Sequence, residues 1–219
     1  MHALEPGLRQ GLVALGLRLD DAQVQSLLSY LDLIGKWTKV YNLTAVRDPA
    51  EMLTHHLLDS LTVVQPLRLQ LESKGLVAPR PMRLLDVGSG AGLPGIVIAI
   101  CCPEITVHCV DTVAKKAAFI QQVAVALKLP NLRGLHARVE SLTELYDVVS
   151  SRAFASLLDF TNWSDGALAE QGVWMALKGK HPADEIAALS DSVEVFHVEQ
   201  LQVPGLDAER CIVWMRARG

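Results

Sequence analysis

Leu84-Leu85-Asp86-Val87-Gly88-Ser89-Gly90-Ala91-Gly92-Leu93-Pro94-Gly95 continues an apolar run of strand length, Arg83 to Val87, into glycines at every second position. A second apolar run, Ile96 to Ile100, follows at once, so strand, tight turn and helix start stand in one stretch. The glycines permit φ > 0 and close backbone approach, because no Cβ stands in the way. A helix start adds N–H groups without intrahelical partners, which suit an electron-rich ligand. Pro94 fits the first helical turn, where its missing N–H costs nothing. These features together read as a cofactor loop; the alternative is a glycine turn that serves only strand–helix packing.

Two cofactors fit the pattern. Gly90-x-Gly92-x-x-Gly95 matches the dinucleotide fingerprint, and Asp111 lies about 20 residues on, where an acid would take ribose hydroxyls. Gly88-x-Gly90-x-Gly92 directly after Asp86 also resembles the first motif of S-adenosylmethionine-dependent methyltransferases. Hydride chemistry is the poorer fit. A two-domain dehydrogenase needs a second domain that 219 residues do not accommodate, and none of Tyr30, Tyr41 or Tyr146 is followed by Lys at the Tyr-x-x-x-Lys spacing of short reductases.

Half of the residues are hydrophobic, ample for a packed core. No apolar run reaches the roughly 18 residues of a membrane span. Met1-His2-Ala3-Leu4-Glu5-Pro6 lacks the basic start and apolar block of a signal peptide, so a cytoplasmic protein without membrane contact is expected. Cys101, Cys102, Cys109 and Cys211 show no C-x-x-C spacing and read as buried free thiols, not metal ligands. His55 and His56 are adjacent on a helix and not at i, i+4, which argues against a metal pair. A net charge of −4 does not advertise nucleic-acid binding, though a local basic face can hold phosphate while acids elsewhere set the total.

Residues 5–66 read as helices. Asp20-Asp21 caps one that runs through Trp37, with Val24, Leu27, Leu28, Leu31 and Ile34 on one face. Asp48-Pro49-Ala50-Glu51 opens another. A polar segment, Glu72 to Pro81, leads into the glycine loop. Beyond it, strands at Ile105–Val110, Leu132–His136, Tyr146–Ser150 and Gly172–Leu177 alternate with helices at Ala114–Leu127 and Ala155–Leu168. After a helix near Asp184–Leu189, Val193–Gln200 and Cys211–Met215 form a hairpin-like pair. Alternating strands and helices imply a parallel sheet covered on both faces.

Lys39-Val40-Tyr41-Asn42-Leu43-Thr44-Ala45-Val46-Arg47, His55–Ser60, Asp86–Gly95, Ser151-Arg152-Ala153 and Leu177-Lys178-Gly179 occur in this order. Together they resemble the RsmG/GidB family of bacterial small-subunit rRNA guanine-N7 methyltransferases, over about residues 30–215. The resemblance implies an α/β fold of class I S-adenosylmethionine-dependent type, Rossmann-like. Its sheet would be mostly parallel with one antiparallel C-terminal strand. An N-terminal helical extension, 1–75, would pack as one unit with a methyltransferase domain, 76–219. The implied cofactor is S-adenosyl-L-methionine. The implied partner is 16S rRNA, within the small subunit or an assembly intermediate, met by a monomer.

Carried onto this sequence, the resemblance makes Asp86, Gly88, Gly90, Gly92, Leu93, Asp111, Val139, Glu140 and Arg152 cofactor-binding residues. Asp86 either orients the loop, caps the next helix or meets the cofactor's ammonium group. Asp111 takes both ribose hydroxyls or caps the helix at Val113. Val139 and Glu140 bracket adenine. Arg152 and Lys178, at the ends of the fourth and fifth strands, are the expected catalytic residues, and Arg138, Lys178, Lys180 and Arg210 the RNA-binding ones. An Arg fork can grip phosphate or the O6 edge of guanine, and an acidic partner that merely steadies the loop is the alternative for Arg152. Trp37 and Tyr41 either stack on bases or belong to the core. N7 bears its own lone pair and loses no proton on methylation, so positioning replaces a general base. The competing functions are a non-catalytic ribosome-assembly factor, a nicotinamide oxidoreductase and a small-molecule methyltransferase. Methyl incorporation into RNA separates the first from an enzyme, and cofactor preference excludes the second.

Overall fold

The computed structural model describes residues 2–73 and 81–218. The expected boundary at 75/76 and most of the polar stretch before the glycine loop lie outside them. Helix α1 spans Glu5–Ala14 and α2 Asp21–Tyr41. A capping box starts α2: Gln23 N donates to Asp20 Oδ1 at 2.7 Å and Asp20 N to Gln23 Oε1 at 3.1 Å. It runs past the expected end at Trp37, because Thr38 is still buried, and stops at Asn42, whose φ of 50° is left-handed. Asp48 accepts from the amides of Ala50 and Glu51 to start α3, which runs through Pro49–Met52, a π-helical stretch Leu53–Leu58, and Asp59–Leu61. Helix α4 spans Val64–Ser73.

Seven strands form one sheet: β1 Met82–Val87, β2 Ile105–Asp111, β3 Leu132–His136, β4 Tyr146–Arg152, β5 Leu168–Lys178, β6 Val193–Leu201 and β7 Arg210–Ala217. Their order is β3-β2-β1-β4-β5-β7-β6, with β7 antiparallel to both neighbours and all other pairings parallel. Between them run α5 Gly95–Cys101, α6 Ala114–Ala126, α7 Leu157–Ser164 and α8 Ala183–Ala187. Helix α7 is shorter than the expected 155–168, and β5 starts four residues before Gly172. A 3-10 turn at Asp165–Ala167 ends the helix, and Trp174 Nε1 donates to Ser164 Oγ at 2.9 Å, tying that turn down on the strand.

The helices before β1 lie on the α5/α6 side of the sheet. Leu27, Leu57, Ile98 and Phe119 share one continuous core that crosses from the N-terminal helices into the sheet layer. A second core, with Val149, Phe160, Trp174 and Val213, fills the opposite face. Chain order reverses between β1 and β4, so their C-terminal ends flank the crevice where doubly wound sheets bind ligands.

Candidate active site

Two cavities open at those strand ends and share Gly88 and Ala153 in their walls. The first, about 600 Å³, is lined by Val110, Asp111, Val139, Glu140, Phe154 and others. The second, about 570 Å³, is lined by the glycine loop, Leu93, Asp59, Arg152, Lys178 and Arg210.

Gly88 and Gly92 turn the loop with φ of 64° and 86°. A Cβ on Gly88 would stand 2.2 Å from Phe154 Cδ2, so bare backbone is required there. Gly92 lines neither cavity; a Cβ on it would stand 2.3 Å from Ile96 Cδ1, which makes it a packing glycine. Several loop amides are engaged within the protein. Gly88 N donates to Val110 O at 2.9 Å, Gly90 N to Asp111 Oδ2 at 3.1 Å, and Gly92 N and Leu93 N to Ser89 O. From α2, Tyr30 Oη donates to Ala91 O at 2.6 Å and holds the loop from behind.

Asp86 lies below the loop. It is fully buried and lines neither cavity: its carboxyl accepts from Ser150 Oγ at 2.9 Å and Gly95 N at 3.1 Å. Burial pushes its pKa up to about 7, against the lowering effect of those hydrogen bonds. It orients the loop and caps α5, two of the alternatives expected for it. Asp111 lines the first cavity and also caps, accepting from Val113 N at 2.9 Å and, on its other oxygen, from Gly90 N, with Lys116 Nζ at 3.5 Å. Val139, Glu140 and Arg138 line the same cavity, where the Arg138 side chain is 78 % exposed and only 3.3 Å from Glu140. Phe154 and Trp163, ring centroids 5.8 Å apart, complete its aromatic wall; sequence reasoning passed over both, since neither sits in a recognised motif.

Arg152 ends β4 in the second cavity, beside Gly88 and Leu93. Its Nη1 donates to Asp59 Oδ2 at 2.7 Å and to His55 O at 3.1 Å. Arg210, on β7, gives its Nε to the other Asp59 oxygen at 2.9 Å. Sequence reasoning missed Asp59, although it lies within the His55–Ser60 stretch that carried the resemblance. Lys178 lines the second cavity, where its Nζ donates to Ala155 O at 2.9 Å and Glu185 Oε2 at 2.7 Å and pins the segment after β4. The same Glu185 oxygen accepts from Leu157 N at 2.8 Å. Lys180 is exposed and lines neither cavity, which places it outside the cleft. Of the expected RNA-binding residues, Lys178 and Arg210 share the second cavity with Arg152, while Arg138 lines the first.

His56 is buried, with its Nε2 3.0 Å from Thr44 Oγ1; burial first and Arg152 second lower its pKa. Trp37 packs edge-on to Phe119 at 5.2 Å and belongs to the core, whereas its neighbour Tyr41 is exposed.

The family described as "GidB: rRNA small subunit methyltransferase G" matches residues 23–213. A "Ribosomal RNA small subunit methyltransferase G" of a Polaromonas species is 71% identical over 218 residues, covering 100% of this chain and 96% of the relative. Another of that name, from Polaromonas naphthalenivorans, is 68% identical over 220 residues and covers 99% of each. Among solved structures, TrmN from Thermus thermophilus aligns with a TM-score of 0.54 at 18% identity, covering 76% of this chain and 53% of its own. A "SAM dependent methyltransferase" from Aquifex aeolicus aligns at 0.52 and 16%, covering 77% and 97%. These likenesses establish the fold: a Rossmann-like methyltransferase sheet with an N-terminal helical extension.

Proposed function

The chain belongs to the GidB family, rRNA small subunit methyltransferase G, and from that premise we propose how its cleft works. The reaction is transfer of a methyl group from S-adenosylmethionine to N7 of a guanosine in 16S rRNA. The observation that carries the proposal is the adjacency of the two cavities. One has the residue set of a nucleoside site, the other is walled by guanidinium groups, and the bare backbone of Gly88 joins them.

The first cavity fits the cofactor. Asp111 offers a carboxylate to a ribose, Val110 and Val139 offer apolar faces to a purine, and Gly88 lets the Phe154 ring close against the backbone in the cavity wall. When bound, S-adenosylmethionine supplies an electrophilic methyl on a sulfonium. The protein then has to hold a guanosine so that N7 faces that methyl, and no proton has to be removed. Arg152 serves by gripping phosphate, ribose or O6 while N7 stays free. Lys178 and Glu185 fix the backbone between Arg152 and α7. His56, whose pKa is lowered by burial first and Arg152 second, packs against Thr44.

The target has to be unpaired or flipped to enter such a cavity. We take the enzyme to be a cytoplasmic monomer that recognises folded RNA in a small subunit or an assembly intermediate; equal activity on a short isolated oligonucleotide overturns that substrate choice. The test of the whole reading is incubation of small subunits from cells lacking the protein with labelled cofactor, followed by mapping of the modified base. Label is expected at N7 of a single 16S guanosine, and Arg152→Ala is expected to lower the rate about a hundredfold with the melting temperature retained. Absence of label in RNA sinks the function, and wild-type activity in the variant removes Arg152 from its role.

A further inference from the structure

Asp59, 6 % exposed at the start of the last turn of α3, is shared by two guanidinium groups that reach it from β4 and β7. Arg152 uses Nη1 and Arg210 uses Nε, each on a different carboxylate oxygen, at 2.7 and 2.9 Å. Each guanidinium thus gives only part of its fork to Asp59: Arg210 also donates Nη1 to Glu209 O at 2.8 Å, which leaves its Nη2, with Nε and Nη2 of Arg152, outside these bonds. The His55 carbonyl, on the π-helical stretch, takes a second bond from Arg152 Nη1 and fixes its angle. Lys178, also in this wall, is already matched by Glu185. Two cations around one anion leave the wall one positive charge in excess.

That excess opposes the chemistry. As N7 takes a methyl group the purine becomes cationic, and an uncompensated positive wall beside it raises the barrier. One further anion removes the conflict, and the target nucleotide carries one. We propose that Asp59 is a positioning residue that sets Arg152 and Arg210 as a paired receptor for the phosphate of the target guanosine, so that the RNA itself neutralises the wall facing its base. This rests on the function proposed above. Phosphate is preferred to O6 as the ligand because only an anion completes the charge balance.

Asp59→Asn keeps the shape and adds positive charge, so electrostatic attraction alone would tighten RNA binding. Positioning demands a different result: kcat on small ribosomal subunits falls about tenfold or more, with KM for subunits and the dissociation constant for S-adenosylmethionine within about threefold of wild type. In an Arg152→Ala/Arg210→Ala background the same change alters the residual rate by less than about twofold. An unchanged kcat overturns the proposal, as does an equal loss in the double-alanine background or a parallel loss of cofactor affinity. Should Asp59→Asn fail to fold, Arg210→Ala keeps the Asp59–Arg152 pair. The slope of log KM against log salt is then expected to fall by about one, and an unchanged slope overturns the phosphate assignment. Wild-type protein that leaves subunit RNA unlabelled sinks the function itself; a normal wild type with an equally active Asp59→Asn sinks only this role.

Discussion

Asp86 is a fully buried carboxyl, satisfied by one hydroxyl and one amide. Unfolded, an aspartate ionises near 3.8; here burial holds the proton up to about 7. Between those values the folded state binds more protons than the unfolded one, so raising the pH costs stability across that window and no further above it. At about 1.4 kcal/mol per unit the full cost is about 4 kcal/mol. Asp86→Asn is expected to remove this slope: thermal melts from roughly pH 4 to 7 should show the wild type losing stability relative to the variant as pH rises. Parallel curves refute the assignment. The sequence marked Asp86 as the end of a strand, but strand alternation alone does not say that this side chain would meet the first amide of α5 instead of the cleft. Lys178 teaches the same lesson. Its partner Glu185 is only seven residues away, yet the choice between RNA and Glu185 depended on where α8 lies. Asp59 was harder still, 93 residues from Arg152 in the chain.

Helix α2 was readable as an element, from its cap and its apolar spacing; what it docks on was not. Its face toward the sheet carries Tyr30, fully buried, whose hydroxyl reaches the glycine loop, and Gln23, whose Nε2 donates to Ile100 O at 3.0 Å. The helix is therefore part of the loop's support. Tyr30→Phe leaves Ala91 O without that donor in a dry site, which costs about 2 kcal/mol. Calorimetric titration should show S-adenosylmethionine binding weakened about tenfold or more if the loop is what yields. Unaltered affinity with a lowered melting temperature would show that the bond serves the fold alone. The π-helical stretch of α3 left no sequence signal that periodicity could detect, because a single widened turn shifts the following residues only slightly around the axis. It nonetheless lies where the His55 carbonyl meets Arg152.

At the scale of the whole molecule, the alternating strands and the glycine loop made the fold class legible, and the family resemblance supplied the antiparallel strand. The resemblance implied two parts packed as one unit; which residues join them came only with the packing. Leu57, Ile98 and Phe119 share a single core, so a chain cut at residue 76 would expose the apolar face of α5 and α6. Such a fragment, 76–219, is expected to show no cooperative thermal transition by circular dichroism, whereas a sharp transition would mean that the sheet domain stands alone. The placement of β7 has an outcome in time. Strands β1 to β3 and the first cavity come from the middle of the chain, but Arg210 is on β7, slotted between β5 and β6, both made earlier. On the function proposed above, a half-made protein therefore has walls for its donor and an incomplete seat for its acceptor. Only after β7 has left the ribosome can the molecule handle the purine of another ribosome.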